Sequence, residues 1–537
     1  MDHFEEKLAS FEPRKPTGEQ GEQILANAPV EKPEPDTKTK KVRKPRGRLL
    51  TIATSRWFLF AALPLLLFGT AGICAVSVEG QEAGQNLHDV QEMLNTAGET
   101  LDFHVLAPPP VADADNFMAT PALHSIEMME HPRDPEILAK HERINALPKF
   151  RGSRKTDPGT PVDFGAYAIF DPDSDDEPPL ISTLGGNPNI KVLEAINIDA
   201  ALWDELALAA RRPHSQPVNS MPDRLETSTI LGLSMGHLQA LQKINKLASL
   251  RALAAARLGD RQMALNSFAI HFKCRDAAAT GPSLIGGLVA ISMTSFINNE
   301  LPDILRSDCL TADDLLWLQG EIESRDDIAM GLSMLRGELA LMSYQYDEIL
   351  KLPKGRRFQA INGSAPQFNV ESVVASMIPN SFYTRNHANA IDWLYRYNIE
   401  PLKELDFAAM RAAPYELDRQ VANAGWFSYG TVLAKQTVPT TGRISAHIIA
   451  TEMRRQLTIT GIAIERFRIK NDNFPPSLEA LVPRYLEDVP IDIAAEDSST
   501  PIPIPYELAP DGNSYTLHAS PLLPDERIYP QGLQFMR

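Results

Sequence analysis

Residues 252–265 read ALAAARLGDRQMAL. Alanine is the strongest helix former and leucine follows it closely, so the first half of this stretch favours helix. The run stops at Leu258-Gly259-Asp260. Gly259 stands where a helix C-cap belongs, because glycine takes the left-handed conformation needed there without a steric penalty. Asp260 stands where the next N-cap belongs, with a carboxylate able to accept from the first free amides of a new helix. The stretch predicts two helices joined by a tight turn. Upstream, Leu225, Ile230, Leu233, Leu238, Leu241, Ile244, Leu247 and Leu250 recur near a three-to-four period, the spacing of one helical face. Downstream, GPSLIGGLVAISMTSFI predicts an apolar helix from Pro282 to Ile297, short for a second membrane span. LTADDLLWLQGEI then opens another helix, with Thr311 as N-cap and acids in the first turn.

Helical patterning covers most of the chain from Lys191 to Leu350. It breaks over residues 351–380, where Pro, Gly and Asn accumulate, and resumes from Phe382 to Ala412. A long amphipathic helix is predicted from Ile444 to Lys470, with Ile448, Ile449, Met453, Leu457, Ile464 and Phe467 on its apolar side. The LGD hairpin resembles one unit of a tetratricopeptide repeat, but no copies recur at about 34-residue spacing. The expected fold is therefore mainly α, an antiparallel helical array rather than a repeat solenoid.

The N-terminal part has a different composition. Trp57 to Val78, WFLFAALPLLLFGTAGICAVSV, carries no charge. At about 1.5 Å per residue it matches a hydrocarbon core of roughly 30 Å, which predicts a transmembrane helix and contact with the lipid bilayer. Lys38, Lys40, Lys41, Arg43, Lys44, Arg46, Arg48 and Arg56 precede it, while Glu79, Glu82, Asp89 and Glu92 follow. Lys and Arg stay on the cytoplasmic side, so the bulk of the chain is expected outside, in the periplasm of a bacterial inner-membrane protein. The basic stretch Lys38–Arg56 suits anionic lipid at the inner leaflet. Residues 1–56 otherwise have little to bury and read as a disordered tail. Within that tail, Phe4, Leu8 and Phe11 have short helical spacing.

Net charge is −17, and the first 56 residues hold 12 basic against 9 acidic side chains, leaving −20 for the rest. So acidic a body argues against nucleic acid as a partner, since phosphate contacts need Lys and Arg. Residues 79–190 are expected to form a Pro-rich acidic linker region. It includes HVLAPPPVADADNF, a short helix Pro135–Leu147 capped by Asp134, and a strand Ala166–Phe170. A helical ectodomain is expected over 191–470 and a small α+β unit over 471–537.

That last unit carries the sharpest local pattern. AIERFRIKNDNFPPSLEALVPRYLEDVPID ends a helix, turns at Asn471–Asn473 and starts a short helix near Pro475. Leu478, Leu481, Val482, Tyr485 and Leu486 would share one helical face. IPIPYELAPDGNSYTLHAS then predicts a β-hairpin turning at Asp511–Gly512. Through Phe467, Phe474, Pro475, Leu478, Leu481, Pro490, Asp492, Tyr506 and Tyr515, this unit resembles the C-terminal unit of type II secretion pseudopilins. It departs from them at Asp472 and Asn473, where glycine is usual, and at Ile493, where proline is usual. No Gly-Phe-Thr-Leu-Ile-Glu leader precedes the apolar run, so a processed pilus subunit is not expected. The whole layout, including a Pro-x-Leu-Ile-x-x-Leu element at Pro282–Leu288, resembles single-pass envelope proteins of planctomycete- and verrucomicrobium-type bacteria. That resemblance implies location and architecture, not an activity.

Several motifs compete with bland readings. Gly232-Leu233-Ser234-Met235-Gly236 matches the G-x-S-x-G nucleophile elbow, which would make Ser234 the nucleophile of an envelope serine hydrolase with a distant base such as His271. Its flanks read as helix, without the parallel βα units that fold requires. Asp171, Asp173 and Asp175 are spaced like the start of a calcium loop, but Asp176 and Ser182 stand where the glycine and the closing acid belong. His124, Glu127, Glu130, His131 and His141 lack the H-E-x-x-H spacing of a zinc helix. Trp393, Tyr395 and Tyr397 suit a core edge. Of three cysteines, Cys74 lies in the apolar run, and Cys274 and Cys309 would pair in an oxidising compartment or stay as buried thiols. No cofactor is implied. The expectation is a membrane-anchored, non-enzymatic scaffold that binds another envelope protein, with the Ser234 hydrolase as the alternative.

Overall fold

The LGD turn forms as its residues require. Gly259 adopts φ of 78°, and the Asp260 carboxylate accepts from Met263 N at 3.0 Å. The computed structural model describes residues 77–127, 142–151, 162–164, 168–170, 186–217, 236–361, 376–423, 430–437, 444–493, 495, 501–520 and 534–536. These lie in one compact unit, Ile73–Arg537. The basic tail, its Phe4–Leu8–Phe11 stripe and all of Trp57–Val78 except Ser77 and Val78 lie outside the described residues.

The protein is mainly helical, with a small antiparallel sheet near the C-terminus. In chain order, α1 covers residues 77–96. Next come α2 Pro121–Glu127, α3 Pro188–Ile196 and α4 Ala200–Ala209. The hairpin is α5 Gly236–Arg257 and α6 Arg261–Ala279, followed by α7 Leu284–Arg306. Then come α8 Ala312–Glu323, α9 Asp327–Lys351 and α10 Lys354–Ile361. The last helices are α11 Asn380–Leu394, α12 Phe407–Asn423 and α13 Ile444–Asn471. A two-stranded sheet, β1 Lys149–Arg151 with β2 Ala168–Phe170, realises the expected strand and gives it a partner. Thr311 caps α8 through a capping box with Asp314.

The hairpin α5–α6 packs on α7, and α7 packs in turn on α9 and α13. The helix expected to end at Ile297 runs on to Arg306, through Pro302. Leu301, Ile304 and Leu305 are buried beyond the polar Asn298–Glu300 interruption. Their burial, about 1.5–3 kcal/mol each, outweighs the roughly 3 kcal/mol that an interior proline costs. This helix is long and apolar enough to cross a membrane, by length and composition. It packs here against four helices of the body.

α13 is the centre of the array rather than an amphipathic rim. From Ile444 to Arg468 none of its residues is exposed. α7, α8, α9 and α12 surround it, with β4 and β5 against its end. Some of its buried polar side chains bond within this shell: Ser445 Oγ donates to Asn398 Oδ1 at 3.1 Å, and Thr458 Oγ1 to Asn298 Oδ1 at 3.2 Å. α9 approaches α7 closely. A Cβ on Gly337 would overlap the Pro282 carbonyl.

The stretch expected as a linker is part of this core. Leu94, Phe117, Met118 and Leu123 are fully buried in it. Glu99, just past α1, accepts from Arg336 Nε at 2.7 Å and Nη2 at 3.0 Å, which ties α1 to α9. Residues 142–145 are helical, and the proposed Asp134 cap lies outside the described residues.

At the C-terminus the hairpin forms. β3 Tyr506–Leu508 pairs with β4 Tyr515–His518, Tyr506 opposite Leu517 and Leu508 opposite Tyr515. β5 Gln534–Met536 adds a third strand beside β4. The expected helix after Pro475 does not form beyond one 3-10 turn, Leu478–Leu481. Pro483 is the reason: it has no N–H to give and holds Val482 extended, at ψ 139°. Leu478, Leu481, Tyr485 and Leu486 are buried all the same. Phe474 stands edge-on to Tyr515 at 5.1 Å, Tyr506 Oη donates to Pro475 O at 2.8 Å, and Tyr515 Oη donates to Gly461 O on α13 at 3.3 Å.

Candidate functional site

Over α6 lies a cleft of about 800 Å³. Its floor is Ala269, Phe272, Lys273 and Asp276 on α6. One wall is the segment 210–213 after α4, and the other is the α8–α9 corner with Trp317, Glu321 and Arg325.

Hydrogen bonds to neutral acceptors on two sides hold the first wall. Asn116, from the Pro-rich stretch, donates through Nδ2 to Gln216 O at 2.7 Å and accepts from Gln216 N at 2.8 Å. Its own carbonyl accepts from Arg212 Nη1 at 2.8 Å. From the floor, Lys273 Nζ donates to Pro213 O at 2.8 Å, and Ser215 Oγ donates to Lys273 O at 2.7 Å. The segment is thus clamped between residue 116 and α6.

The second wall is held by ion pairs. Arg325 reaches Asp276 through Nε at 2.9 Å and Nη2 at 2.7 Å, and Glu321 Oε2 through Nη1 at 2.9 Å. Its guanidinium lies 4.4 Å from the centroid of Phe272. Trp317 stands edge-on to the same ring at 6.5 Å and is 36% exposed. Beneath them, Arg275 Nη2 donates to the buried Asp327 at 2.6 Å. Asp326 is the N-cap of α9 and accepts from Ala329 N at 2.8 Å.

These bonds leave an imbalance. Each acid lining the cleft, Asp276, Glu321 and Asp326, is engaged by a cation or a backbone N–H. Among the described residues, Arg211, Arg212 and Lys273 have no carboxylate partner. Arg211 is exposed. Burial pushes the Lys273 ammonium below the ordinary lysine value, opposed by Asp276. The cleft therefore presents positive charge on an acidic protein, beside an exposed indole.

The residues singled out in the sequence are placed differently. Ser234 lies outside the described residues, although Gly236 opens α5. His271 is buried, and its Nδ1 lies 3.0 Å from Ser249 Oγ. Burial, with Arg325 nearby, lowers its pKa to about 3. Asp171, Asp173 and Asp175 lie outside the described residues, as do Glu130, His131 and His141; His124 and Glu127 sit on α2. No set of three or more metal-ligating side chains comes together among the described residues. Cys274 and Cys309 are not joined: both thiols are free. Cys274 points into the core from α6 while Cys309 sits half-buried in the turn before α8, and burial raises both thiol pKa values. Trp393 and Tyr395 are core residues, with Tyr397 packed against them.

A Ser–His–Asp set that no sequence motif announces joins α9 to α11. Ser343 Oγ lies 3.0 Å from His387 Nε2, and His387 Nδ1 lies 4.0 Å from Asp347 Oδ1. Ser343 is 3% and His387 0% exposed, and the carboxylate is beyond hydrogen-bond distance. A nucleophile must be reachable and its base must be oriented by a third group. This set meets neither condition and serves as a tie between helices.

No sequence motif marks the cleft residues. The available signals were the Arg211-Arg212 doublet in an acidic chain and an indole on the outer face of α8. Comparison with protein families, curated proteins and solved structures finds no match to this chain.

Proposed function

We propose that this chain is a single-pass protein of a bacterial inner membrane. Trp57–Val78 is its anchor and Lys38–Arg56 its contact with anionic lipid, and the helical body faces the periplasm, where it binds another envelope protein. The body acts as a scaffold, and the pseudopilin-like C-terminal unit is part of it. The charge change across the apolar run supports the orientation. The observation that carries the binding role is the cleft over α6. Among the described residues its cations Arg211, Arg212 and Lys273 have no carboxylate partner, and Trp317 stands exposed beside them. Aromatic and arginine side chains are the residues that most often anchor protein interfaces.

The test has two arms. An alkaline-phosphatase fusion after residue 100 should be active, and gentle cross-linking in cells followed by mass spectrometry should recover an envelope protein linked to the body. An expressed but inactive fusion overturns the topology. A fluorophosphonate probe that labels the wild-type chain and not Ser234→Ala overturns the non-enzymatic reading in favour of the Ser234 hydrolase.

A further inference from the structure

We propose that the cleft over α6 takes an extended acidic peptide segment of the partner protein. Its carboxylates would be received by Arg211, Arg212 and Lys273, and an apolar side chain of the peptide would lie against Trp317. This rests on the scaffold reading above and adds the chemistry of the partner.

Three observations lead there. The first is charge. The lining carries five cations, Arg211, Arg212, Lys273, Arg275 and Arg325, against three acids, Asp276, Glu321 and Asp326, so an incoming carboxylate meets a net positive surface. Among the described residues, Arg212 and Lys273 donate only to neutral oxygens, Asn116 O, Thr120 Oγ1 and Pro213 O. Each can add a charge-assisted bond without giving up an ion pair. Lys273 is half-buried, so part of the cost of desolvating it is already met in the free protein.

The second is shape. A cleft of about 800 Å³ is far larger than one small anion needs and falls within the range of pockets that hold peptide side chains or sizeable ligands. Trp317 on its edge and Leu316 beside it, 52% exposed, extend the surface in an apolar direction that a free phosphate would not use. The third is contrast. The rest of the chain outside the basic tail is strongly acidic. An acidic peptide is disfavoured over most of such a surface and favoured where cations are uncommitted, which is how specificity arises from repulsion as well as attraction. Both walls are clamped, one through Asn116 and the other through Arg325, so little ordering is left for the binding step.

The experiment uses the full chain in detergent micelles and a fluorescein-labelled decapeptide of glutamates around one phenylalanine, read by fluorescence anisotropy. A second peptide carries glutamine at every glutamate. The glutamate peptide should bind saturably and the glutamine peptide about tenfold more weakly or worse. Arg211→Glu, at an exposed position, should weaken the glutamate peptide about tenfold. Trp317→Ala should weaken both peptides by a similar factor. Lys273→Gln should act in the same direction, and if it unfolds the protein, Arg211→Glu decides alone. Equal binding of the two peptides, or unchanged affinity in Arg211→Glu, overturns the proposal. So does full displacement by millimolar inorganic phosphate, which would mark a small-anion site, or charge-dependent capture by phosphatidylglycerol vesicles in place of the peptide. A partner cross-linked in cells, with no charge-dependent peptide binding in vitro, removes the cleft assignment and leaves the scaffold reading standing. Charge-dependent peptide binding with no partner in cells does the reverse.

Discussion

Arg325 clasps Asp276 with two bonds, Nε to Oδ1 at 2.9 Å and Nη2 to Oδ2 at 2.7 Å. The same guanidinium lies over Phe272, so one side chain joins the α8–α9 corner to α6 by charge and by stacking. Lysine keeps the charge but has neither the fork nor the flat face. Arg325→Lys should therefore cost about 2 kcal/mol, less than a fully buried pair because Asp276 is partly exposed. Denaturant unfolding of the purified chain measures it. A loss under about 0.5 kcal/mol would show that the clasp is only a surface ion pair.

Two helical glycines should respond with opposite signs. A methyl group at Gly337 would overlap the Pro282 carbonyl, so Gly337→Ala should destabilise by about 3 kcal/mol by forcing α9 away from α7. Gly320, on the exposed face of α8, has nothing within 4 Å of an added Cβ. Gly320→Ala should stabilise by up to about 1 kcal/mol through helix propensity. Thermal midpoints of the two variants read this directly, and shifts in the same direction would refute the packing described for α9.

Two buried histidines should make the fold acid-sensitive well above the carboxylate range. Burial lowers His387 to about 4 and, with Arg325 nearby, His271 to about 3. The unfolded chain takes up a proton at each near 6.5, before the folded chain does. Their contribution to stability is therefore intact above pH 6.5 and falls as pH drops below it, while the Glu338 carboxyl, raised by burial to about 7, contributes with the opposite sign. The loss levels off for each histidine near its folded value. For His387 it amounts to on the order of 3 kcal/mol. His387→Gln should flatten unfolding free energy against pH between 6.5 and 4, whatever it does to stability at pH 7.5. An unchanged slope would mean that the imidazole is hydrated.

The free thiols make a chemical prediction. Cys309, half-buried, should react with maleimide in the native protein, and Cys274, enclosed by the core, only after unfolding. Without reductant, denatured protein should alkylate at both positions, as peptide mass spectrometry would show. A peptide pair linked through Cys274 and Cys309 would contradict the arrangement of α6 and the turn before α8.

Local chemistry was legible in the sequence. Gly259, Asp260 and Thr311 mark helix ends because capping acts within a single turn, and each does so in the structure. The hairpin at Tyr506–His518 is equally local. The helix from Ile444 was visible as a helix but not as the centre of the array, since periodicity records an apolar face and not how many neighbours close around it. The run-on of α7 through Pro302 was hidden because propensity ends a helix there and tertiary burial continues it. At Val482 the error was the reverse: the apolar spacing suggested helix, and Pro483 vetoed it.

The cleft shows where the division falls. By itself, the sequence determined the capped helix ends at Gly259, Asp260 and Thr311, the mainly helical class, the C-terminal hairpin and the acidic balance, because these depend on neighbours within a few residues or on composition alone. Tertiary structure alone decided that Asn116 clamps the segment after α4 from about a hundred residues away, that Arg325 occupies Asp276, and that Arg211, Arg212 and Lys273 have no carboxylate partner among the described residues. Whether a cation is spent or available depends on which carboxylates the fold brings within about 4 Å, and the order of residues along the chain does not carry that distance.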